Sequence, residues 1–218
     1  VLREADPHHV HGLRDRAMLE TLYSTGVRRA ELCALALYDI DLNRRALHVR
    51  GGKGNKDRMI PIGSRACAWV EKYLIESRPQ LLVADHDTLF VTAHGEPLTH
   101  GFLTNRIKAL LRYAGIEKTG GAHLFRHAMA THMLDNGADT RFIQAMLGHA
   151  NLQTTQIYTQ VSIEKLKQIH DATHPARLVR EAKTDAIESE TSDATRTLLD
   201  SLTAEVEGDE DDDDAGDA

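Results

Sequence analysis

Apolar residues recur at helical spacing along most of this chain, and two short runs near residue 50 break that rhythm. Residues 12–24 set Leu13, Ala17, Leu19, Leu22 and Tyr23 among charges, which predicts an amphipathic helix. Thr25-Gly26 ends it, and VRRAELCALAL opens another with Leu32, Leu35 and Ala36 on its apolar face. Residues 46–50 and 58–62 read as short strands joined by GGKGNKD, a glycine-rich turn, so a hairpin is predicted. Residues 64–78 read as a helix carrying the only tryptophan, Trp69, and residues 87–92 as a third short strand. Thr99 caps a helix running to about Tyr113, and Gly115 stops it. The stretch from His123 to Tyr158 begins with two short helices, closed by Asn136-Gly137 and by Gly148. A last amphipathic helix spans residues 162–170, with Ile163, Leu166 and Ile169 on one face.

Composition narrows the class. With 218 residues and 41% apolar content, the chain suits one full domain or two small ones. No apolar run approaches the ~20 residues of a membrane span, and the start is not a basic-apolar signal. Cys33 and Cys67 fall in apolar helical patterns and read as reduced core residues of a cytosolic (cytoplasmic) protein. The net charge of −7 hides two regions. Residues 1–177 carry 23 Lys and Arg against 18 Asp and Glu, a net of +5; residues 178–218 carry 3 against 15, a net of −12. A mildly basic body suits a polyanion; the acidic tail does not. The tail, 178–218, and above all Glu205 to Ala218, is expected to bury no core and to be disordered.

Candidate chemistry gathers in a few places. His123 and Arg126 lie one helical turn apart and share a face, an arrangement that suits an oxyanion such as phosphate. Tyr158 is then either a nucleophile or a core aromatic. Arg28 and Glu31 share a face as well, either as a surface ion pair or as an arginine held by a carboxylate to grip phosphate. Lys53 and Lys56 sit in the hairpin turn, whose spacing does not fit a nucleotide-binding phosphate loop. Lys53 there is an exposed turn residue or a proton donor reaching a neighbouring site. Arg106, Lys108 and Arg112 mark either a DNA-backbone face or a solvated helix surface. His8, His9 and His11 lie in residues 1–11, read as a solvated leader; no Cys or carboxylate arrangement supports a metal site. The paired short helices resemble a helix-turn-helix reader, but a free-standing reader needs no His, Arg, His and Tyr in this order.

Taken together, Arg28, Lys53, His123, Arg126, His149 and Tyr158 follow one another in an order that resembles the tyrosine recombinase (phage integrase) family, especially its Xer branch. The strings that carry the resemblance are TGVRRAELCAL, VRGGKGNKDRMIPI, HLFRHAMATHMLDNGAD, LGHANLQTTQIYT and HDATHPAR. It covers roughly residues 13–177. The resemblance implies an α+β, mostly α-helical catalytic domain over residues 12–177 with a small antiparallel sheet. It implies that Tyr158 attacks a DNA phosphodiester and forms a 3′-phosphotyrosyl bond. Arg28 and Arg126 then clamp the non-bridging oxygens, Lys53 protonates the leaving 5′ oxygen, and His149 hydrogen-bonds the phosphate. His123 assists proton transfer at the tyrosine, and Glu31 supports Arg28.

The chemistry is coherent. Attack on a phosphodiester builds negative charge that two permanently charged guanidiniums offset in place. A phenol with a pKa near ~10 needs cations and a proton acceptor to react at neutral pH. The covalent intermediate conserves the phosphodiester's energy, so no ATP, cofactor or metal is expected. Double-stranded DNA is the implied partner, and by family analogy exchange takes a homo- or hetero-tetramer on two sites. The family usually has a helical DNA-clamping domain before the catalytic one, and residues 1–11 are too few to hold it, so that domain is expected to be lost, to lie on a missing segment or never to have been present. Two alternatives share some of these features: a topoisomerase-like relaxing enzyme with the same chemistry, and a non-catalytic DNA-binding remnant.

Overall fold

The computed structural model describes residues 1–52, 56–117, 120–148, 163–176 and 193–211. Helix α1, Val10–Thr25, runs through the middle and is buried on nearly every side. That placement is unusual for a helix holding Arg14, Asp15 and Glu20, all 2% exposed or less. Each charge has partners: Arg14 binds Asp15 at 2.8 Å, and Glu20 binds Arg16 and Arg65, both at 2.8 Å. Buried charges are tolerable only when paired in this way. Gly26 ends α1 in the left-handed region, φ 63°, and returns its N–H to the Leu22 carbonyl.

Helix α2, Arg29–Ala34, follows, and then a three-stranded antiparallel meander of β1 (Ile40–Asp41), β2 (Ala46–Gly52) and β3 (Lys56–Pro61). Leu47 pairs with Ile60 and Val49 with Arg58 on the inner face of the sheet. The hairpin is as predicted, but the third strand is β1. Residues 87–92 make only isolated bridges, Ala36 to Thr88 and Val91 to Pro97. The apolar run there is buried as a loop whose backbone bonds go to single residues.

Helix α3, Ser64–Lys72, passes through a π turn, Tyr73–Ser77, into α4, Arg78–Leu81. Helix α5, His100–Tyr113, is capped by the Thr99 hydroxyl, which accepts from the Phe102 N–H at 3.1 Å. Helices α6 (Ala122–Asp135) and α7 (Thr140–Leu147) form the pair expected in the His123 stretch. Helix α8, Ile163–Thr173, packs on α6, α7 and β3.

Two expectations about the ends need correction. The leader is not simply solvated: Ala5 is 1% exposed, and the Leu2 carbonyl accepts from Arg16 Nη1 at 2.6 Å. The tail is not uniformly without structure either. Helix α9, Asp193–Asp211, lies on α6 and α7, with Leu198 and Leu202 in the main core cluster. These two leucines stand one turn apart, a local stripe that the acidic average concealed.

Cys33 and Cys67 are free thiols, and burial pushes each up to about 11, so neither is a ready nucleophile. No helix among the described residues is long and apolar enough to cross a membrane.

Candidate active site

Four elements converge where α1 gives way to α2: that turn itself, the inner face of β3, helix α6 and the end of α7. Arg28 is the N-cap residue of α2. Its backbone N–H donates to Glu31 Oε2 at 2.9 Å, the return half of a capping box. The Arg28 side chain also reaches Glu31 Oε1, but at 3.4 Å.

The main partner of Glu31 is a residue that the sequence reading passed over. Arg58 donates Nη1 to Oε1 and Nη2 to Oε2, both at 2.8 Å, a fork-to-fork pair. Burial alone raises the Glu31 carboxyl; the bonds and charge of Arg58, with those of Arg28, outweigh it and hold it at about 2. Arg58 has a third contact, from Nε to the Met146 carbonyl at 3.0 Å. A signal for Arg58 was present in the sequence. In RMIPI it alternates with Ile60 on the inward side of the strand, where an arginine needs a buried partner.

Arg126, on α6, is 2% exposed. Its Nη1 donates to the Gly26 carbonyl at 2.6 Å and its Nη2 to the Leu147 carbonyl at 2.9 Å. It therefore ties the turn before Arg28 to the end of α7, and the two bonds fix the plane of its fork. Gly26 makes this approach possible: a Cβ there would lie 2.3 Å from Met129 Cε and 2.8 Å from Leu147 Cδ2. The last carbonyls of a helix lack intrahelical partners and carry partial negative charge. Here two arginines from different elements take adjacent ones, Met146 and Leu147. Gly148 then turns left-handed, φ 68°, where a Cβ would stand 3.1 Å from Arg58 Cδ. His123 lies one turn before Arg126 and is half-buried.

Lys53, His149 and Tyr158 lie outside the described residues. Gly52 and Lys56, which flank the Lys53 turn, pair across the hairpin. Gly148, which immediately precedes His149, is held beside Arg58. Of the candidate DNA-backbone cations, Lys56 begins β3, and Lys108 and Arg112 are exposed on α5. Arg106 departs from its expected role. It points inward and bonds Asp15 Oδ2 at 2.5 Å, because that fully buried carboxylate demands a second cation besides Arg14. Among the described residues, no group of three His, Cys, Asp or Glu side chains is placed to hold a metal ion.

Known proteins resemble this chain along most of its length. Residues 2–165 match the Phage integrase family. Tyrosine recombinase XerC 2 of Ralstonia nicotianae is 58% identical over 199 residues, 91% of this chain and 56% of that one. Tyrosine recombinase XerD of Pseudomonas putida is 44% identical over 176 residues, 80% of this chain and 59% of that one. The crystal structure of XerA recombinase matches with a TM-score of 0.62 and 36% identity, over 80% of this chain and 62% of that one. XerH site-specific recombinase bound to difH substrate, in a pre-cleavage complex, matches with a TM-score of 0.59 and 28% identity. That match covers 75% of this chain and 48% of XerH. The chain thus spans less than two thirds of the length of each of these relatives. Its mostly helical body, its small antiparallel meander and the match over residues 2–165 make it a member of the phage integrase family of tyrosine recombinases.

Proposed function

We propose that this chain is a site-specific DNA recombinase that cleaves and rejoins strands through a 3′-phosphotyrosyl bond at Tyr158. The observation that carries the reading is the joint fastening of the Arg28 turn and of Arg126 to the last carbonyls of α7. It brings the backbone turn ahead of Arg28 against Arg126, itself one turn after His123, and holds Arg126 to Leu147, two positions before His149 in sequence. Arg28 and Arg126 offset the charge that grows on the phosphate's non-bridging oxygens. Tyr158 attacks phosphorus, and the P–O5′ bond breaks. Lys53 delivers a proton to the departing 5′ oxygen, His123 assists removal of the phenolic proton, and His149 hydrogen-bonds the phosphate. Rejoining is the reverse: a 5′ hydroxyl attacks phosphorus and the phenolate leaves. Lys56, Lys108 and Arg112 hold the DNA backbone. Exchange takes four protomers on two duplexes, in the cytoplasm at the nucleoid. XerH was solved on its difH substrate, which supports a duplex partner by kinship.

A nicked suicide duplex tests this. Wild-type protein should form a covalent adduct of protein and DNA, and Tyr158→Phe should form none. Adduct from the phenylalanine variant overturns the assigned nucleophile. Relaxation of supercoils without paired sites would favour the topoisomerase-like outcome.

A further inference from the structure

Resting on that reading of the site, we propose that Arg58 is a positioning residue for strand cleavage, fixing the Arg28 turn and the end of α7 in one geometry. Three elements meet at this one side chain. It grows from β3, one arm of the hairpin whose turn holds Lys53. Both its terminal nitrogens bond Glu31 at 2.8 Å, and Glu31 in turn accepts from the N–H of Arg28 at 2.9 Å. Its Nε bonds the Met146 carbonyl at 3.0 Å, two residues before Gly148 and three before His149. Each of the elements it joins leads to a different group proposed to act on the phosphate.

The position is built rather than incidental. The Arg58 side chain is 13% exposed and that of Glu31 is 7% exposed. A bidentate pair in that setting holds both groups to a narrow range of angles. Gly148 packs against the guanidinium stem so closely that a Cβ would lie 3.1–3.2 Å from Cδ, Nε and Cζ. Lysine keeps the charge but lacks the fork, so it can serve only one of these partners well. Arg58 touches no reacting atom in this scheme; it acts through Glu31, Arg28 and the carbonyl of Met146. Without it, among the described residues, Glu31 keeps only the 3.4 Å contact of the Arg28 side chain and the capping bond. Arg28 is then pulled toward its own carboxylate and away from the phosphate.

The test uses the full 218-residue chain and nicked suicide duplexes with randomised flanks, enriched for those that wild-type protein labels covalently. Arg58→Gln should slow single-turnover labelling at saturating duplex by about 100-fold, the upper scale for loss of a supporting partner. The half-saturating duplex concentration should stay within about threefold, because no phosphate-binding group is removed. Arg58→Lys should recover part of the rate. Arg58→Gln combined with Glu31→Gln should be barely slower than either alone, the non-additivity of residues acting as one unit. Measured well below each variant's melting temperature, a wild-type labelling rate in Arg58→Gln overturns the proposal. So does a cycle that is strictly additive. Should Arg58→Gln not fold, Arg58→Lys decides: cleavage slowed by about tenfold or more with a cooperative melt supports the proposal, and wild-type cleavage overturns it. Failure of the wild-type chain to label any duplex overturns the reading of the site, and this inference falls with it. That outcome is distinct from labelling that is indifferent to Arg58.

Discussion

Arg126 Nη1 lies 2.6 Å from the Gly26 carbonyl, so a side chain proposed to clamp phosphate also holds together the turn that presents its partner. Arg28, by contrast, caps a short helix with its backbone and keeps its side chain 20% exposed. The two arginines should therefore fail differently. Arg126→Met should abolish adduct formation and cost about 2–4 kcal/mol of stability, since it strips two buried carbonyls of their donors. Arg28→Met should abolish adduct formation at a stability cost below about 1 kcal/mol. Denaturant melts beside suicide-substrate labelling separate the two; equal stability losses would refute the distinction.

A pH effect follows from the contact between α8 and α1. His174 packs its ring on His170, with centroids 4.6 Å apart, and its Nδ1 accepts from the Ala176 N–H at 3.1 Å. Its Nε2 therefore carries the hydrogen and donates to the Tyr23 carbonyl at 2.9 Å. Burial, then the charge of His170, pushes His174 down to about 3; Arg65 and His132 add to this, and the bond to Tyr23 opposes it. A histidine depressed on folding stabilises fully above its unfolded value near 6.5 and loses that contribution as pH falls toward 3. The slope approaches about 1.4 kcal/mol per pH unit. The melting temperature should fall between pH 6.5 and 5.5, before Glu31, with an ordinary value of 4.5, protonates appreciably in the unfolded chain. His174→Gln should flatten that fall, and an unchanged slope would assign it elsewhere.

The docked tail bears on DNA binding. Helix α9 is seated on α6 and α7 by Leu198 and Leu202, and its second half is dense in Asp and Glu. If that charge competes with DNA for the basic body, truncation after Arg177 should tighten duplex binding at low salt. The gain should vanish near 0.5 M salt, where screening is nearly complete. Leu198→Asn, which unseats α9 but keeps its charge, should give a smaller gain. Unchanged affinity in the truncated chain removes the tail from any role in DNA binding.

Arg106 and Lys108 offer a contrast on one helix. Arg106→Met should destabilise the fold by about 1–3 kcal/mol, because Asp15 is left buried with Arg14 as its only close cation among the described residues. Its effect on the salt dependence of DNA binding should be small. Lys108→Ala should leave the melt unchanged and lower the salt slope by about one counterion. A reversed pattern would return Arg106 to the DNA-facing surface.

Most of the helical frame was legible in the sequence because its punctuation is local. Thr99, Asn136-Gly137 and Gly148 stop or start helices where the pattern predicts. Residues 87–92 misled because an apolar run reads alike as a strand or a buried loop, and only long-range pairing decides. Arg58 was passed over, and Arg106 placed on the helix surface, for one reason: a cation is called to the interior by an acid far away in the chain. Glu31 lies 27 positions from Arg58, and Asp15 lies 91 from Arg106. Helix α9 was hidden because a regional charge average outweighs a stripe of two leucines.

The arginine-held carbonyls at Met146 and Leu147 have a mechanical corollary. Whatever path residues 149–162 follow, it departs from a mooring at the close of α7 and arrives at another, the histidine-fastened α8. The two helices that border this span are each fastened to other parts of the fold by side-chain bonds, so substitutions at Arg58, Arg126 or His170 alter its anchorage without touching its own residues.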